Sequence, residues 1–518
     1  PGEEKPAAGK TRGVHRSIAA HVGTMSSAIP PRAALQGAGR EACQAGAERE
    51  KRRAPRTSRR RPLVYPSPMK RFLVLAFLAA SSGLLAAVTP PAGFNALFNG
   101  RDLTGWRGGM TFDHRKLLAM SPAEREAQIA KWNASMLEVS KKTNRPHWYV
   151  EGDELVNDGF GAYATTIQDY GNFELMLEYK TVAGADSGIY LRGVPQVQIW
   201  DINQPDQAKR PDRRPRLGSG GLFNNTPGTP GRDPLVLADK PFGEWNQVRV
   251  VMVGSRVSVW LNGKLVVDHA LMENYYDAKL PAAERRPVPA RGPIQLQTHG
   301  GEIRWRNVFL REIGNTEAVR LLASRGQEGF EKIFNGKNLE GWAGATEAAT
   351  VRDGAIAWQK GKGGTLYFNR EYADFKARVM FKLPPAGNNG LALRYPGTGN
   401  PAYDGMTEVQ VLDENYDLVK GKIDPRQVHG SVYGMIGAHR GYQFPIGEWN
   451  FQEVTVKGPR ITVELNGTVI LDGDVSTVDL SKVMQNKAHP GKDRPRGFFG
   501  FAGHTDPVEF KEIAIKPL

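Results

Sequence analysis

The chain states nearly the same text twice. Residues 97–106 read LFNGRDLTGW and residues 333–342 read IFNGKNLEGW; residues 241–268 read PFGEWNQVRVVMVGSRVSVWLNGKLVVD and residues 445–472 read PIGEWNFQEVTVKGPRITVELNGTVILD. The blocks follow in the same order, so the chain must build one fold in two copies. Their separation is far beyond the roughly 20–50 residues of a solenoid repeat. A length of 518 residues then divides into two domains of about 200 residues, a size that suits β-sandwiches and buries a core without staples.

The net charge of +15 is unevenly placed. Residues 1–71 hold 16 Lys and Arg against 5 Asp and Glu, which is eleven of those charges. The run Lys51, Arg52, Arg53, Arg56, Arg59, Arg60, Arg61 has the composition of a nucleic-acid tail, but a different reading accounts for more. Met69-Lys-Arg followed by FLVLAFLAASSGLLAA has the charged start, apolar stretch and small residues of a secretory signal. Residues 69–88 are therefore expected to be a signal peptide and residues 1–68 a misassigned, disordered upstream segment. The apolar stretch is broken by Ser81, Ser82 and Gly83, too short for a membrane anchor. Cys43 is the one cysteine and precedes the signal, so the mature chain has no disulfide and relies on core burial. The expectation is a secreted or periplasmic bacterial protein that binds neither nucleic acid nor membrane, its oligomeric state open.

Within each copy the pattern is that of strands. FELMLEYKT (173–181), GIYLRG (188–193), QVQIWD (196–201), NQVRVVMV (246–253), PIQLQTH (293–299) and IRWRNVFLREI (303–313) alternate or carry β-branched runs. Asn262-Gly263 and Asn466-Gly467 each sit between two such runs, a strong hairpin signal. The first copy also carries an insert absent from the second. Ser121, Pro122 and Glu124 have the spacing of a capped helix start, and Ile129, Trp132 and Met136 then share a face. Residues 94–314 are expected to form the first domain, 315–328 a linker and 329–518 the second.

Taken together, FNGxxLxGW, the SGIYLRG and VQIWD strands, GEWN, the LNG hairpin and the closing QTHGGEIRWRNVFLREI resemble the 3-keto-disaccharide hydrolase domain family, in two tandem copies. The resemblance implies an all-β chain of two concanavalin-like jelly-roll β-sandwich domains, with the small helical insert in the first. It also implies export and activity on 3-keto-disaccharides or 3-keto-glycosides.

Alternation along a strand sends every second side chain to the same face. Gln196, Gln198 and Trp200 share the face opposite Val197 and Ile199; Glu408 and Gln410 share the face opposite Val409 and Val411. Arg192 and Arg394 occupy matched positions, as do His299 and His504, and Asp201 and Asp413. Bland alternatives stand beside each: solvated arginines, loop-bonding histidines, and turn-forming aspartates. Trp106 and Trp342 read as core and the GEWN segments as turns.

The copies differ in a telling way. Glu408, His429 and Tyr433 in the second stand where the first has Gln196, Ser219 and Phe223, so acid–base chemistry is expected in the second domain. A ketone at C3 of a sugar acidifies the C2 proton; a base removes it, a donor holds the enolate oxygen, the C1 substituent leaves and water adds. Glu408 or His504 would be the base, with Arg394 and Tyr433 at the oxyanion. Gln410, His429, Arg192, Gln196, Gln198, Trp200 and His299 complete the expected sugar-binding set. Glu408 and Asp413 are five residues apart on one strand, hence on opposite faces, and do not make the paired carboxylates of ordinary glycoside hydrolysis. There is no CxxC or HExxH and no metal or cofactor is expected; acidic loops leave calcium open, although DENYD (413–417) lacks EF-hand spacing. The rival readings are a non-catalytic, lectin-like carbohydrate-binding protein and a structural module.

Overall fold

The computed structural model describes residues 89–205 and 209–518. The expected upstream segment and signal peptide, and Cys43, lie outside the described residues.

The hydrophobic pattern becomes two sheets in each half. In the first half one sheet runs in the order Lys264–Leu271, Arg256–Leu261, Asn246–Val253, Phe173–Thr181, Ile303–Glu312, Glu154–Asn157, Trp148–Glu151, with Asn95–Ala96 added alongside Ile303–Glu312. The other runs Trp106–Gly109, Tyr163–Thr166, Gln295–Leu296, Ser187–Leu191, Val194–Ile199. The second half repeats this plan. Its larger sheet is Ala349–Arg352, Ala355–Trp358, Glu509–Pro517, Phe375–Lys382, Asn450–Lys457, Arg460–Leu465, Thr468–Asp474; its five-stranded sheet is Trp342–Gly344, Gly364–Tyr372, Gly497–Gly503, Asn388–Tyr395, Thr407–Leu412. The chain is thus mostly β-sheet, folded as two tandem sandwiches of jelly-roll type.

Each hairpin is locked by an asparagine pair. Asn262 and Gly263 take φ of 50° and 79°, and Asn466 and Gly467 take 47° and 83°, the left-handed values that a two-residue turn with strand twist requires. The Asn262 Nδ2 donates to Asn246 Oδ1 (2.8 Å), and Asn466 Nδ2 donates to Asn450 Oδ1 (2.8 Å). The conserved GEWN and LNG texts are therefore two ends of one turn lock. Trp106 and Trp342 are buried and donate to the carbonyls of Leu97 (2.7 Å) and Ile333 (3.1 Å), tying each opening strand to its FNG turn.

The insert forms a helix, Pro122–Leu137, with both bonds of the Ser121–Glu124 capping box in place. Trp132 and Met136 are buried. The helix sits on the edge strand Trp106–Gly109: Asn133 Oδ1 accepts the Gly108 N–H (2.7 Å), and a Cβ at Gly108 would meet the Trp132 backbone at 2.4 Å. The expected strand at 293–299 shortens to Gln295–Leu296, because Pro293 has no N–H and the Ile294 N–H is taken by Thr166 Oγ1 (3.0 Å).

The linker is more than a connection. Asn315–Ala323 is a helix whose Ala318, Val319 and Leu322 are buried. They join Val253 of the first domain to Met380 and Phe451 of the second in a single apolar cluster. Beside it the Ser255 N–H donates to Gly467 O (2.9 Å), Arg256 Nε donates to Glu464 (2.9 Å), and Tyr442 Oη donates to Val288 O (3.1 Å). The two sandwiches are fused along this seam. Replacing Leu322 with Ala is expected to cost about 2–4 kcal/mol, read as a lower denaturation midpoint of the intact chain.

Candidate functional site

Strands Asn388–Tyr395 and Thr407–Leu412 lie side by side, with Asn388 opposite Leu412, Gly390 opposite Gln410 and Ala392 opposite Glu408. This register puts Glu408, Gln410 and Leu412 on the outer face. Space for the glutamate comes from its neighbour strand: a Cβ on Gly390 would lie 2.0 Å from Glu408 Oε1. Together with Asn388, Tyr403, Gln427, Tyr433 and His504 these residues line a cleft of about 380 Å³.

Glu408 is 5% exposed, and among the described residues its Oε1 has no hydrogen-bond partner. Burial pushes its pKa up to about 8, since an unpaired charge is costly to hold away from water. Gln410 Nε2 donates to Asn388 Oδ1 (2.9 Å), leaving the buried Gln410 Oε1 unpartnered. Gln427 Nε2 donates to Tyr433 Oη (3.2 Å), so the tyrosine proton is free to be donated onward. The Tyr403 ring stands across from Tyr433 and packs on His489. Burial raises the Tyr403 pKa, with Tyr433 and Glu408 adding to it. His504 stands at the rim, where partial desolvation lowers its imidazole pKa against the opposing pull of Asp506.

Of the expected second-domain residues, Glu408, Gln410, Tyr433 and His504 come together; Arg394 and His429 do not. The Arg394 guanidinium is buried and spent inside the fold, donating to the carbonyls of Ala373 (2.8 Å), Gly458 (3.1 Å) and Arg494 (3.1 Å) and to Asp374 (2.8 Å). Arg192 does the same in the first domain, on Gly171 O (2.9 Å), Pro289 O (3.1 Å) and Asn172 Oδ1 (3.1 Å). Both arginines sit at positive φ, 53° and 45°. They clamp a strand end to its surrounding loops, so the expectation of an oxyanion role for Arg394 and a sugar-binding role for Arg192 is corrected.

His429 is corrected likewise. Its ring lies in the core against Phe381, its Nδ1 accepts the Leu412 N–H (3.3 Å), and desolvation takes its pKa down to about 3. In the first domain the matching Ser219 Oγ accepts the matching Trp200 N–H (2.9 Å). The two residues share a structural task. Asp201 and Asp413 are turn residues: each accepts the N–H two residues on, from Asn203 (2.8 Å) and Asn415 (2.9 Å), and one N–H across, from Gly184 (2.8 Å) and Ala386 (2.7 Å).

In the first domain Gln196, Gln198, Trp200 and His299 do gather, around a residue the sequence reasoning passed over. Asp186 Oδ1 accepts Gln198 Nε2 (2.7 Å); Asp186 Oδ2 faces Arg213 (2.5 Å) and His299 Nδ1 (3.2 Å). Gln196 donates to Gln198. Laying IYLRG on LALRY places Asp186 on Asn388, so a signal for it existed. The carboxylate has changed strand: the first copy has Asp186 and Gln196, the second Asn388 and Glu408. Among the described residues no three His, Cys, Asp or Glu side chains converge as a metal-binding group.

The matched halves now meet a family. A model of the 3-keto-alpha-glucoside-1,2-lyase-like domain matches residues 93–311 and again residues 329–516. The chain belongs to this family. A relative from Bacteroides thetaiotaomicron, a 3-keto-disaccharide hydrolase, is 29% identical over 230 residues, covering 37% of this chain and 79% of the relative. Among solved structures, a presumed glycosyl hydrolase from Parabacteroides distasonis is 26% identical, covers 37% of this chain and 94% of its own, and has a TM-score of 0.32. A carbohydrate-binding module from Bacillus subtilis is 13% identical, covers 36% and 95%, and has a TM-score of 0.21.

The raised Glu408 pKa has a consequence for stability. Its folded value lies above the ordinary glutamate value of 4.5, so the folded chain binds the extra proton and loses stability as pH climbs from about 4.5 to about 8. Glu408→Gln removes that loss. The melting temperature of the variant relative to the parent is expected to rise between pH 5 and pH 8.5, by the equivalent of a few kcal/mol at most.

Proposed function

We propose that this chain cleaves 3-keto-disaccharides or 3-keto-glycosides by elimination and hydration, with Glu408 of the second domain as the base. The observation that carries the reading is the buried, unpartnered Glu408 Oε1 at the floor of a polar cleft, in a chain of this family. A proton next to a ketone is a weak acid, and a carboxylate whose pKa stands near 8 is a far better base for it than an exposed one. Glu408 takes the C2 proton. The enolate oxygen at C3 receives the Tyr433 hydrogen bond, its hydroxyl proton left available by Gln427. The C1–O bond then breaks, and the leaving alkoxide takes the proton that Glu408 removed from C2. Water adds its hydroxyl to C1 while C2 regains a proton, and the net reaction is hydrolysis. Gln410 Oε1 and Asn388 serve the sugar hydroxyls. The Met69–Ala87 segment motivates the further proposal that the reaction takes place after export.

The base acts only when ionised. Turnover of a 3-keto-glucoside at low substrate is therefore expected to rise with pH along a limb near 8, and Glu408→Gln is expected to delete that limb. Tyr433→Phe should lower kcat by about a hundredfold to a thousandfold with a smaller change in KM, as the loss of one oxyanion donor does. Retention of glycan binding by a parent that turns over no 3-keto sugar would replace this reading with the carbohydrate-binding one. An unaltered pH profile in Glu408→Gln would displace the base.

A further inference from the structure

The first domain's five-stranded sheet offers a second place for a ligand, although Gln196 and Phe223 stand where the second domain has Glu408 and Tyr433. Its outer face presents Gln196, Gln295 and Gln297, all buried, and among the described residues the Oε1 of each has no partner. Gly188 makes the same room for Gln196 that Gly390 makes for Glu408: a Cβ there would stand 2.6 Å from the Gln196 side chain. Buried carbonyl oxygens call for donors, from ordered water or from a ligand whose hydroxyls fill the space. A sugar is such a filler. Trp200 supplies an aromatic wall, with Phe223 edge-on and the Arg213 guanidinium 4.8 Å from its ring centre.

We infer that the first domain is a second catalytic site for the same chemistry, in which His299, held by Asp186, is the base and Arg213 holds the enolate. This rests on the 3-keto-glycoside reading above. The Nδ1 of His299 faces Asp186 Oδ2 (3.2 Å). That contact fixes the proton on Nδ1 and leaves the Nε2 lone pair for substrate, the way a carboxylate orients a catalytic imidazole. The hydrogen bond to Asp186, the largest cause, raises the His299 pKa; desolvation and Arg213, the other charged group beside it, work against this. Arg213 brings a cation to the same carboxylate, and among the described residues its buried Nε has no partner. A developing oxyanion gains from a guanidinium already in place. The copies thus divide the task differently: carboxylate base and phenol donor in one, imidazole base and guanidinium donor in the other.

The step balances within the site. His299 Nε2 takes the C2 proton, and the C–H electron pair becomes the C2–C3 double bond with its charge on O3 against Arg213. The pair returns to form the C1–C2 double bond as C1–O breaks, and the leaving oxygen takes the proton from the imidazolium. Water then adds hydroxyl at C1 and hydrogen at C2. Asp186 is a positioning residue.

The test uses the full-length chain and 4-nitrophenyl 3-keto-glucosides of both anomers. Glu408→Gln is expected to keep turnover clearly above background, at no less than about a hundredth of the parent. Glu408→Gln with His299→Gln is expected to fall at least a hundredfold further. Glu408→Gln with Asp186→Asn should keep part of the residual rate but move its pH limb lower, because the group that raises the imidazole pKa is gone. A folded Glu408→Gln chain without turnover overturns the second site and leaves the reading of the second domain standing. A residual rate indifferent to His299→Gln overturns it too. A parent inactive on both anomers overturns both proposals together.

Discussion

A glutamate carboxyl held out of water with one oxygen unpaired is an expense that the rest of the second domain is arranged to sustain. The strand register sets Glu408 on the outer face, and the neighbouring glycine leaves the volume its side chain fills. Near it the Gln410 amide is turned toward Asn388, and Tyr433 is poised to donate. Among the described residues no Lys or Arg lines its cleft, and its basicity follows from burial. An arginine beside it would make a more stable sandwich and a weaker base.

Much of this was legible in the text of the chain. The repeat gave two domains, the alternation gave the strand faces, and the Asn-Gly turns gave the hairpins, because each depends on local periodicity. The assignment of Gln196, Gln198, Glu408 and Gln410 to one face follows from a period of two, and the structure keeps it. The matched arginines misled. Arg192 and Arg394 are shared by both copies because each holds its strand end to the loops around it, and agreement between copies cannot separate that need from chemistry. His429 misled in the opposite way: its difference from Ser219 looked chemical, yet both accept the same backbone N–H.

Asp186 was missed for a further reason. Copies were compared position by position, and a carboxylate that moves to the neighbouring strand looks like a loss at one position and an unremarked polar residue at another. Neighbouring strands lie side by side while their residues stand ten apart in the text of the first copy, Asp186 and Gln196, and twenty in the second, Asn388 and Glu408. The helix at Asn315–Ala323 was under-read similarly, since its apolar side chains find their partners only when both sandwiches are present.

That seam bears on the history of the chain. The hairpin at Gly254 has no room for a side chain because the Asn466–Gly467 turn of the other copy lies against it, with the Asn466 carbonyl 2.2 Å from where a Cβ would stand. Two sandwiches that began as equivalents have therefore each given up a surface that a free-standing copy would keep polar. Split apart, they would bare Val253, Met380, Phe451 and one face of the joining helix to water. The doubling has become a ratchet: the halves remain free to diverge in their clefts, but not to part.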